Sequence, residues 1–324
     1  MEKRYPRSIM ATACAAWNDN NTFDEVSFRK QVKALTDGGI KSIYLFGTAG
    51  EGYAVSREQY KETVAAFLDQ VNGVPGALPM VGVVSLSMSE VIERVETGME
   101  LGAQDFQISF PSWGAVTAEE GIAFLHGVCD RFPHARFMHY NNGLRSRLKL
   151  RFADYKRICE EIPNLAAVKN TASDMVELHE LLAEELPLEF YVMEFAYGYA
   201  SMFTDNCSVL ISLLNLDLEQ AWSYFNAGKR RDVAEIMRYH DEFMKIDEAI
   251  SANIPTGRMD GAYDKLFVKA NVPEFPLRLL PPYTGSSDAQ YEAFLSVVKA
   301  KLPRWNIGAV IAGRGEFPPT NLVS

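Results

Sequence analysis

The feature that most constrains this 324-residue chain is a regular alternation of short β-rich segments with helical segments. Eight β-rich segments recur roughly every 30 residues, about the size of a βαβ unit: SIMATACAA, KSIYLFG, LPMVGVVS, DFQISF, ARFMHY, LAAVK, LEFYVM and CSVLIS. Strands that alternate with helices pair in parallel, because each crossover returns the chain to the same edge of the sheet. The sequence therefore predicts an α/β fold, a (β/α)8 TIM barrel, with an open doubly wound sheet as the alternative.

The predicted strands are separated by helix boundaries. Capping boxes, in which two side chains satisfy backbone N–H groups at a helix N-terminus, are predicted at four places: Thr22 with Glu25, Ser56 with Gln59, Ser87 with Glu90, and Thr117 with Glu120. From about Asp217 onward, helical patterns replace the alternation. We expect residues 1–228 to form the barrel that carries the active site. Residues 229–324 are expected to form a C-terminal helical region that ends in a loosely held tail, GEFPPTNLVS.

The composition limits the partners and the compartment. A net charge of −10 argues against nucleic acid or an anionic membrane as the main partner. The four cysteines are far apart and form no CxxC pair, which indicates reduced thiols and a cytoplasmic protein. The basic N-terminus before a short apolar run is interpreted as the approach to a first strand, with a signal peptide as the alternative. No segment approaches the ~18 uninterrupted apolar residues of a membrane span.

Neither a metal nor an organic cofactor is expected. The five histidines show no HxH or HExxH spacing, so a zinc-dependent aldolase has no obvious ligands. No GxGxxG motif follows the first predicted strand, which argues against a nucleotide cofactor.

Two residues at predicted strand ends have side chains that suit catalysis. Active sites of such barrels lie at the C-terminal ends of the strands, where Lys169 closes LAAVK and Tyr140 closes ARFMHY. Desolvation there would lower the pKa of the lysine and free its amine for nucleophilic attack. A phenol at the same height can transfer protons. The alternatives are a lysine that reaches for solvent and a half-buried aromatic residue.

The loop GTAGEG, Gly47 to Gly52, follows the second predicted strand. Its glycines let the backbone approach a ligand closely, and successive N–H groups can bind a carboxylate. Thr48 adds a hydroxyl group. Glycine-rich loops are common, and this loop is not a Walker motif because no GK[ST] follows it.

Three motifs together resemble the dihydrodipicolinate synthase/N-acetylneuraminate lyase family. They are GTAGE after the second strand, YNNGLR after the fifth and VKNTASD at the end of the sixth. The resemblance covers most of residues 8–300 and implies a TIM barrel, a Schiff-base lysine and a homotetramer built from two dimers. These motifs are specific for the fold and the Schiff base, and much less so for the substrate.

The resemblance also implies a role for individual residues. Lys169 would form the imine with a 2-keto acid, and Tyr140, hydrogen-bonded to Thr48, would transfer protons. The loop at Gly47, through the N–H groups of Thr48 and Ala49, would hold the substrate carboxylate. Two further substrate contacts are implied, a second carboxylate at Arg145 and the keto acid beside Leu210. The alternatives are a solvated loop charge for Arg145 and core packing for Leu210.

Departures from the family pattern bear on the reaction. Trp113 stands in the loop PSWG where the synthase has a tyrosine that serves a proton relay across a subunit interface, and Ala49 and Gly143 replace the usual threonine and proline. With Trp113, the aromatic residues of MEFAYGYAS, namely Phe195, Tyr197 and Tyr199, predict an aromatic-lined pocket. The alternative for these residues is the barrel core or a subunit interface.

These observations predict a class I lyase or aldolase that forms a Schiff base between Lys169 and pyruvate or a related 2-keto acid. Its partner would be an aldehyde, with an apolar or aromatic one favoured by Trp113, as in hydratase-aldolases. Three alternatives stay open: a dehydratase of a 2-keto-3-deoxy sugar acid, dihydrodipicolinate synthase itself, and a barrel that binds a keto acid without catalysis.

Overall fold

A computed structural model describes residues 2–171 and 174–308 of the chain. Two residues of the VKNTASD motif, 172 and 173, and the tail GEFPPTNLVS lie outside the described residues.

Eight parallel strands close into a barrel, each pairing with its neighbours in chain order and β1 with β8. All eight predicted segments form strands, so the predicted TIM barrel is confirmed. The strands are β1 (Ile9–Ala13), β2 (Ser42–Leu45), β3 (Leu78–Gly82), β4 (Asp105–Ile108), β5 (Arg136–Asn141), β6 (Leu165–Asn170), β7 (Glu189–Met193) and β8 (Ser208–Ile211).

Alternate residues of each strand face opposite sides of the barrel wall. One set fills the interior as a compact cluster that includes Met10, Tyr44, Met138 and Leu210. The other set packs against the surrounding helices in the larger core of the protein. The same alternation directs the last inward residues of β5 and β6, Tyr140 and Lys169, toward the C-terminal opening of the barrel.

Helices connect the strands and extend beyond the last one. They are α1 (Glu25–Asp37), α2 (Arg57–Val71), α3 (Met88–Glu100), α4 (Ala118–Cys129), α5 (Gly143–Ser146), α6 (Phe152–Glu161), α7 (Met175–Leu182), α8 (Glu194–Ser201), α9 (Leu218–Arg230), α10 (Val233–Asn253), α11 (Gly261–Asn271) and α12 (Asp288–Lys301). A 3-10 turn, Leu213–Leu216, precedes α9. None of these helices is long and apolar enough to cross a membrane.

The predicted helix starts are largely confirmed. Capping boxes form at Ser56 and Thr117, and Ser87 caps α3 through its side chain alone. The prediction at Thr22 is wrong, because Asp24 caps α1 by accepting a hydrogen bond from the backbone N–H of Ser27. The Thr22 hydroxyl is instead held within its own loop, where it donates to Asn20 Oδ1 at 2.6 Å.

The C-terminal helices are connected to the barrel mouth. The pair α10 and α12 pack together, and α11 packs on the 3-10 turn after β8. This packing places the first turns of α11 beside the C-terminal ends of the strands. The domain boundary at residue 228 stays a prediction, although it falls within α9 rather than between helices.

Candidate active site

A cavity of about 480 Å³ opens at the C-terminal ends of the strands. Its lining falls into two walls. The lysine wall consists of Thr48, Tyr140 and Lys169, from the β2 loop, β5 and β6. The acidic wall consists of Ser212, Asp260 and Asp264, from the end of β8 and the start of α11. Open barrel mouths of this kind are where enzymes with this fold place their chemistry.

Lys169 is buried, with 5% of its surface exposed, and its side chain ends in the cavity. Its Nζ donates a hydrogen bond to Tyr44 Oη at 2.8 Å and lies 4.0 Å from the centre of the Tyr140 ring. Strand register produces this arrangement, since Lys169 and Tyr140 are direct partners across β5 and β6. The two residues that the sequence singled out therefore lie side by side, while Tyr44 was missed.

The electrostatics of Lys169 differ from the expectation. Burial lowers the pKa of its amine, but Coulombic interactions with Tyr140 and Tyr44 and the hydrogen bond to Tyr44 outweigh burial, and the net pKa is raised above the ordinary value. The sequence predicted that desolvation would free the amine. The raised net pKa shows that desolvation alone does not. Since burial also raises the pKa of the Tyr44 phenol, both groups hold their protons at neutral pH. Nucleophilic attack by Lys169 needs a group that accepts its proton.

Tyr140 is held by two side chains. Its Oη lies 3.2 Å from Thr48 Oγ1, in the pairing that the sequence predicts, and accepts a hydrogen bond from Asn142 Nδ2 at 3.0 Å. Asn142 begins the short helix α5 as its N-cap. Two fixed partners orient the phenol above the amine of Lys169, which is the position a proton-transfer group requires.

Gly47 and Ala49 have different positions in the loop after β2. Ala49 lines the cavity, whereas Gly47 lies against the phenol of Tyr44, where a Cβ would be only 2.1 Å from Tyr44 Oη. Gly47 therefore leaves room for the tyrosine that binds Lys169. The backbone N–H groups of Thr48 and Ala49 donate to no acceptor within residues 2–171 and 174–308.

A buried ion pair fixes this loop. Glu51 and Lys265 are fully buried, and Lys265 Nζ donates to Glu51 Oε1 at 2.6 Å. Glu51 also accepts hydrogen bonds from Trp17 Nε1 at 2.9 Å and from the backbone N–H of Leu280 at 2.7 Å. Because Lys265 belongs to α11, one carboxylate joins the loop of the lysine wall to the helix of the acidic wall. The sequence contained Glu51 within GTAGEG, but nothing in it indicated the partner.

The acidic wall carries an unusual carboxyl group. Asp264 is 8% exposed and accepts a hydrogen bond from Ser212 Oγ at Oδ1. Burial and the neighbouring carboxylate of Asp260 raise the pKa of Asp264 to about 8, against the lowering effects of Ser212 and Lys169. A protonated carboxyl group can both donate and accept hydrogen bonds at neutral pH.

Arg145 and Leu210 both lie at the cavity, as the sequence predicts. Leu210 is buried among the interior cluster of the barrel. Arg145 is partly exposed and forms an ion pair with Asp260, with an Nη2–Oδ1 distance of 3.2 Å. The guanidinium that was expected to bind a second carboxylate therefore already has a protein carboxylate beside it.

Trp113 is not brought to the cavity. It is 85% exposed and does not belong to the cavity lining in the single chain. Its predicted role as a substrate contact gains no support from this position.

The expected aromatic pocket is also absent from the described cavity lining, and that prediction is wrong. Phe195, Tyr197 and Tyr199 lie on α8, which begins at Glu194, so their side chains spread around a helix. They contact aromatic residues of the C-terminal helices: Phe195 and Tyr199 pack on His240, and Tyr197 packs on Tyr224.

Curated proteins of known name match parts of this sequence at low identity. The curated 4-hydroxy-tetrahydrodipicolinate synthase of Thermus thermophilus is 26% identical over 161 residues, 50% of this chain and 53% of that protein. The match thus spans about half the length of this relative. The corresponding synthase of Phenylobacterium zucineum is 24% identical over 240 residues, 72% of this chain and 79% of that protein.

Solved structures show the same architecture. A prophage protein of the dihydrodipicolinic acid synthase family from E. coli K12, crystallised in complex with pyruvate, superposes with a TM-score of 0.79 at 16% identity, covering 91% of this chain and 98% of that one. The sequence model of the dihydrodipicolinate synthetase family matches residues 5–256, which is most of the chain. The protein is therefore a member of the dihydrodipicolinate synthetase family.

Proposed function

We propose that the protein is a class I lyase in which Lys169 forms a Schiff base with pyruvate or a related 2-keto acid. In this proposal, the enzyme makes or breaks a carbon–carbon bond with an aldehyde. The observation that carries the proposal is the buried amine of Lys169, which ends in the cavity 2.8 Å from Tyr44 Oη and beside the ring of Tyr140. Lys169 has no ion-pair partner among the described residues. A buried lysine with a structural role, such as Lys265, is paired with a carboxylate.

The chemistry follows from this placement. The amine attacks the keto carbon, and the carbinolamine loses water to form an iminium ion. In the cleavage direction, a base removes the proton of the hydroxyl group two carbons from the iminium carbon. The bond between the hydroxyl-bearing carbon and the carbon next to the iminium then breaks. Its electron pair moves toward the iminium, so that an aldehyde and an enamine result. Protonation of the enamine and addition of water release the keto acid and restore Lys169.

Tyr140 is the group that we assign to proton transfer. Its hydroxyl, held by Thr48 and Asn142, can donate to the carbinolamine oxygen as water leaves and accept a proton in the bond-breaking step. The raised pKa of Lys169 requires an acceptor for the ammonium proton before attack. The incoming substrate carboxylate or a water molecule can take that proton.

The substrate carboxylate is assigned to the free N–H groups of Thr48 and Ala49. Backbone N–H groups in a turn form a site for an anion without a charged side chain. The E. coli relative, crystallised in complex with pyruvate, supports a keto acid of this size. In this mechanism the lysine itself supplies the covalent chemistry, so neither a metal nor an organic cofactor has a step to perform.

A second reaction is favoured by one observation, the buried carboxyl group of Asp264 in the cavity lining, whose pKa burial raises to about 8. Loss of a hydroxyl group as water requires an acid that donates to the leaving oxygen. With the same imine on Lys169, a 2-keto-3-deoxy sugar acid would then be dehydrated rather than cleaved. A cytoplasmic location and a homotetramer stay predictions under either reaction, as does the synthase activity that the curated relatives have by name.

The Schiff base is tested by incubating the protein with pyruvate and borohydride, followed by intact mass measurement and peptide mapping. We expect one reduced adduct per chain, located on Lys169. An adduct on another lysine, or none with pyruvate and longer 2-keto acids, would contradict the proposal. Product analysis then separates the two reactions, since cleavage yields pyruvate and an aldehyde whereas dehydration yields a single keto acid.

A further inference from the structure

The acidic wall contains a carboxyl group, that of Asp264, with only one of its two oxygens hydrogen-bonded among the described residues. Asp264 lies on the second turn of α11, is 8% exposed and receives Ser212 Oγ at Oδ1. Its Oδ2 has no hydrogen-bond partner within residues 2–171 and 174–308, and the side chain lines the cavity. Because the side chain lines the cavity, this oxygen is available to a polar group that enters the cavity. In the occupied cavity, the ligand is the natural source of that partner.

The surroundings restrict the chemistry of the ligand. Arg145 is paired with Asp260, and Lys149 is paired with Glu177 at 2.6 Å, so both cations that border this side of the cavity are compensated by protein carboxylates. Among the described residues, a second substrate carboxylate would meet the carboxylate of Asp260 with no unpaired cation beside it. Such an arrangement disfavours a dicarboxylate.

An ammonium group and an apolar ring also fit poorly. The amine of Lys169 acts electrostatically on Asp264 across the cavity, so a second cation would be repelled. Because Asp264 is protonated at neutral pH, it would also attract a cation weakly. An aromatic ring against Asp264 would leave Oδ2 buried without a partner. A hydroxyl group, which donates and accepts, satisfies Asp264 and Ser212 together.

We infer that Asp264 and Ser212 form a hydroxyl-binding subsite for the carbon chain of the keto acid that Lys169 carries. The substrate class is then a hydroxylated 2-keto acid, assembled from or cleaved to a hydroxyaldehyde, rather than an adduct of an apolar aromatic aldehyde. This inference rests on the proposed Schiff base. The family match ends at residue 256, so Asp264 lies outside the matched part of the chain and the match predicts no role for it.

The experiment compares two keto acids of equal chain length. The half-saturating concentration for adduct formation under borohydride is measured for 2-keto-3-deoxygluconate and for 2-ketohexanoate, which has no hydroxyl groups. We expect the hydroxylated acid to be preferred by about tenfold, as one satisfied hydrogen bond gives. Asp264→Leu should abolish the preference, and Asp264→Asn and Ser212→Ala should reduce it. Asp241→Asn, at an exposed position of α10, serves as the matched control.

The outcomes separate this inference from the proposed function. If pyruvate forms the adduct but the wild type shows no preference, or Asp264→Leu keeps it, the subsite is wrong and the Schiff base stands. If no keto acid forms an adduct, the Schiff base is wrong. The subsite is then tested by the difference in thermal shift that the two six-carbon acids give with Lys169→Ala, which binds without covalent chemistry. Equal shifts would overturn the subsite.

Discussion

The two walls of the cavity differ in how the fold builds them. In the lysine wall, Tyr140 and Lys169 are register partners on adjacent strands, so hydrogen bonds of the sheet set their distance. In the acidic wall, Ser212 follows β8 whereas Asp264 lies 52 residues later on a helix. The positions of Tyr140 and Lys169 thus depend on the barrel alone, whereas the position of Asp264 depends on how α11 docks. Under the proposed function, this difference assigns the bond-forming chemistry to the barrel and substrate choice to the added helix.

The strongest test of this division removes the nucleophile. Lys169→Ala should reduce turnover below detection, because no other lysine ends in the cavity beside Tyr44 and Tyr140 among the described residues. The fold should persist, since the substitution removes a buried amine without an ion-pair partner. Activity is measured with the best keto acid found by trapping, and Lys61→Ala, at an exposed position of α2, is the control. Retained activity would remove Lys169 from the mechanism.

A smaller effect is expected from the proton-transfer group. Tyr140→Phe removes the hydroxyl that Thr48 and Asn142 hold, and we expect a loss of about 10²–10⁴-fold in kcat. The borohydride adduct should still form, more slowly, because Lys169 is intact. Tyr60→Phe, which removes a phenol that donates to the Arg94 carbonyl outside the cavity, is the matched control. A change confined to KM would show that Tyr140 only binds substrate.

The link between the walls is tested through stability. Glu51→Gln leaves the ammonium of Lys265 buried without its carboxylate, which should lower the free energy of unfolding by about 3–5 kcal/mol. The double variant with Lys265→Met should lose less than the sum of the two single variants, because the pair is removed together. Urea unfolding measures both. Additive losses would indicate that the pair does not couple the loop to α11.

The smallest expected effect is a pH-dependent gain in stability. The pKa of Asp264 is about 8 in the folded protein against an ordinary value of 3.8, so the folded state keeps a proton that the unfolded state releases. Wild-type stability from this group is therefore lost as the pH rises from about 4 to about 8. Asp264→Asn removes this loss and should be more stable relative to wild type at about pH 7 than at about pH 5, by about 2–3 kcal/mol. A constant difference across this range, in thermal or urea unfolding, would contradict the raised pKa.

The sequence predicts the lysine wall well because its determinants are local. Strand endings identify Lys169 and Tyr140, and the loop motif identifies Thr48. Tyr44 also occupies an inward position of a predicted strand, but its position along the strand does not identify its phenol as a partner of Lys169.

The acidic wall could not be predicted in the same way. Asp264 stands in GAYDKLFVKANV, where an acidic residue in a helical pattern indicates a solvated face. Only the docking of α11 on the turn after β8 turns it inward. The prediction of an aromatic pocket from the residues of α8 was wrong for a related reason. Phe195, Tyr197 and Tyr199 alternate as if on one face of an extended segment, whereas a helix distributes them among its neighbours.

The most direct test of the account is a crystal structure of the borohydride-reduced adduct formed with 2-keto-3-deoxygluconate. We expect continuous density from Lys169 Nζ to the keto carbon, the carboxylate at the N–H groups of Thr48 and Ala49, and a chain hydroxyl within hydrogen-bond distance of Asp264. Density that joins another lysine would contradict the Schiff base. A ligand whose carbon chain makes no contact with Asp264 or Ser212 would contradict the assignment of substrate choice to the acidic wall.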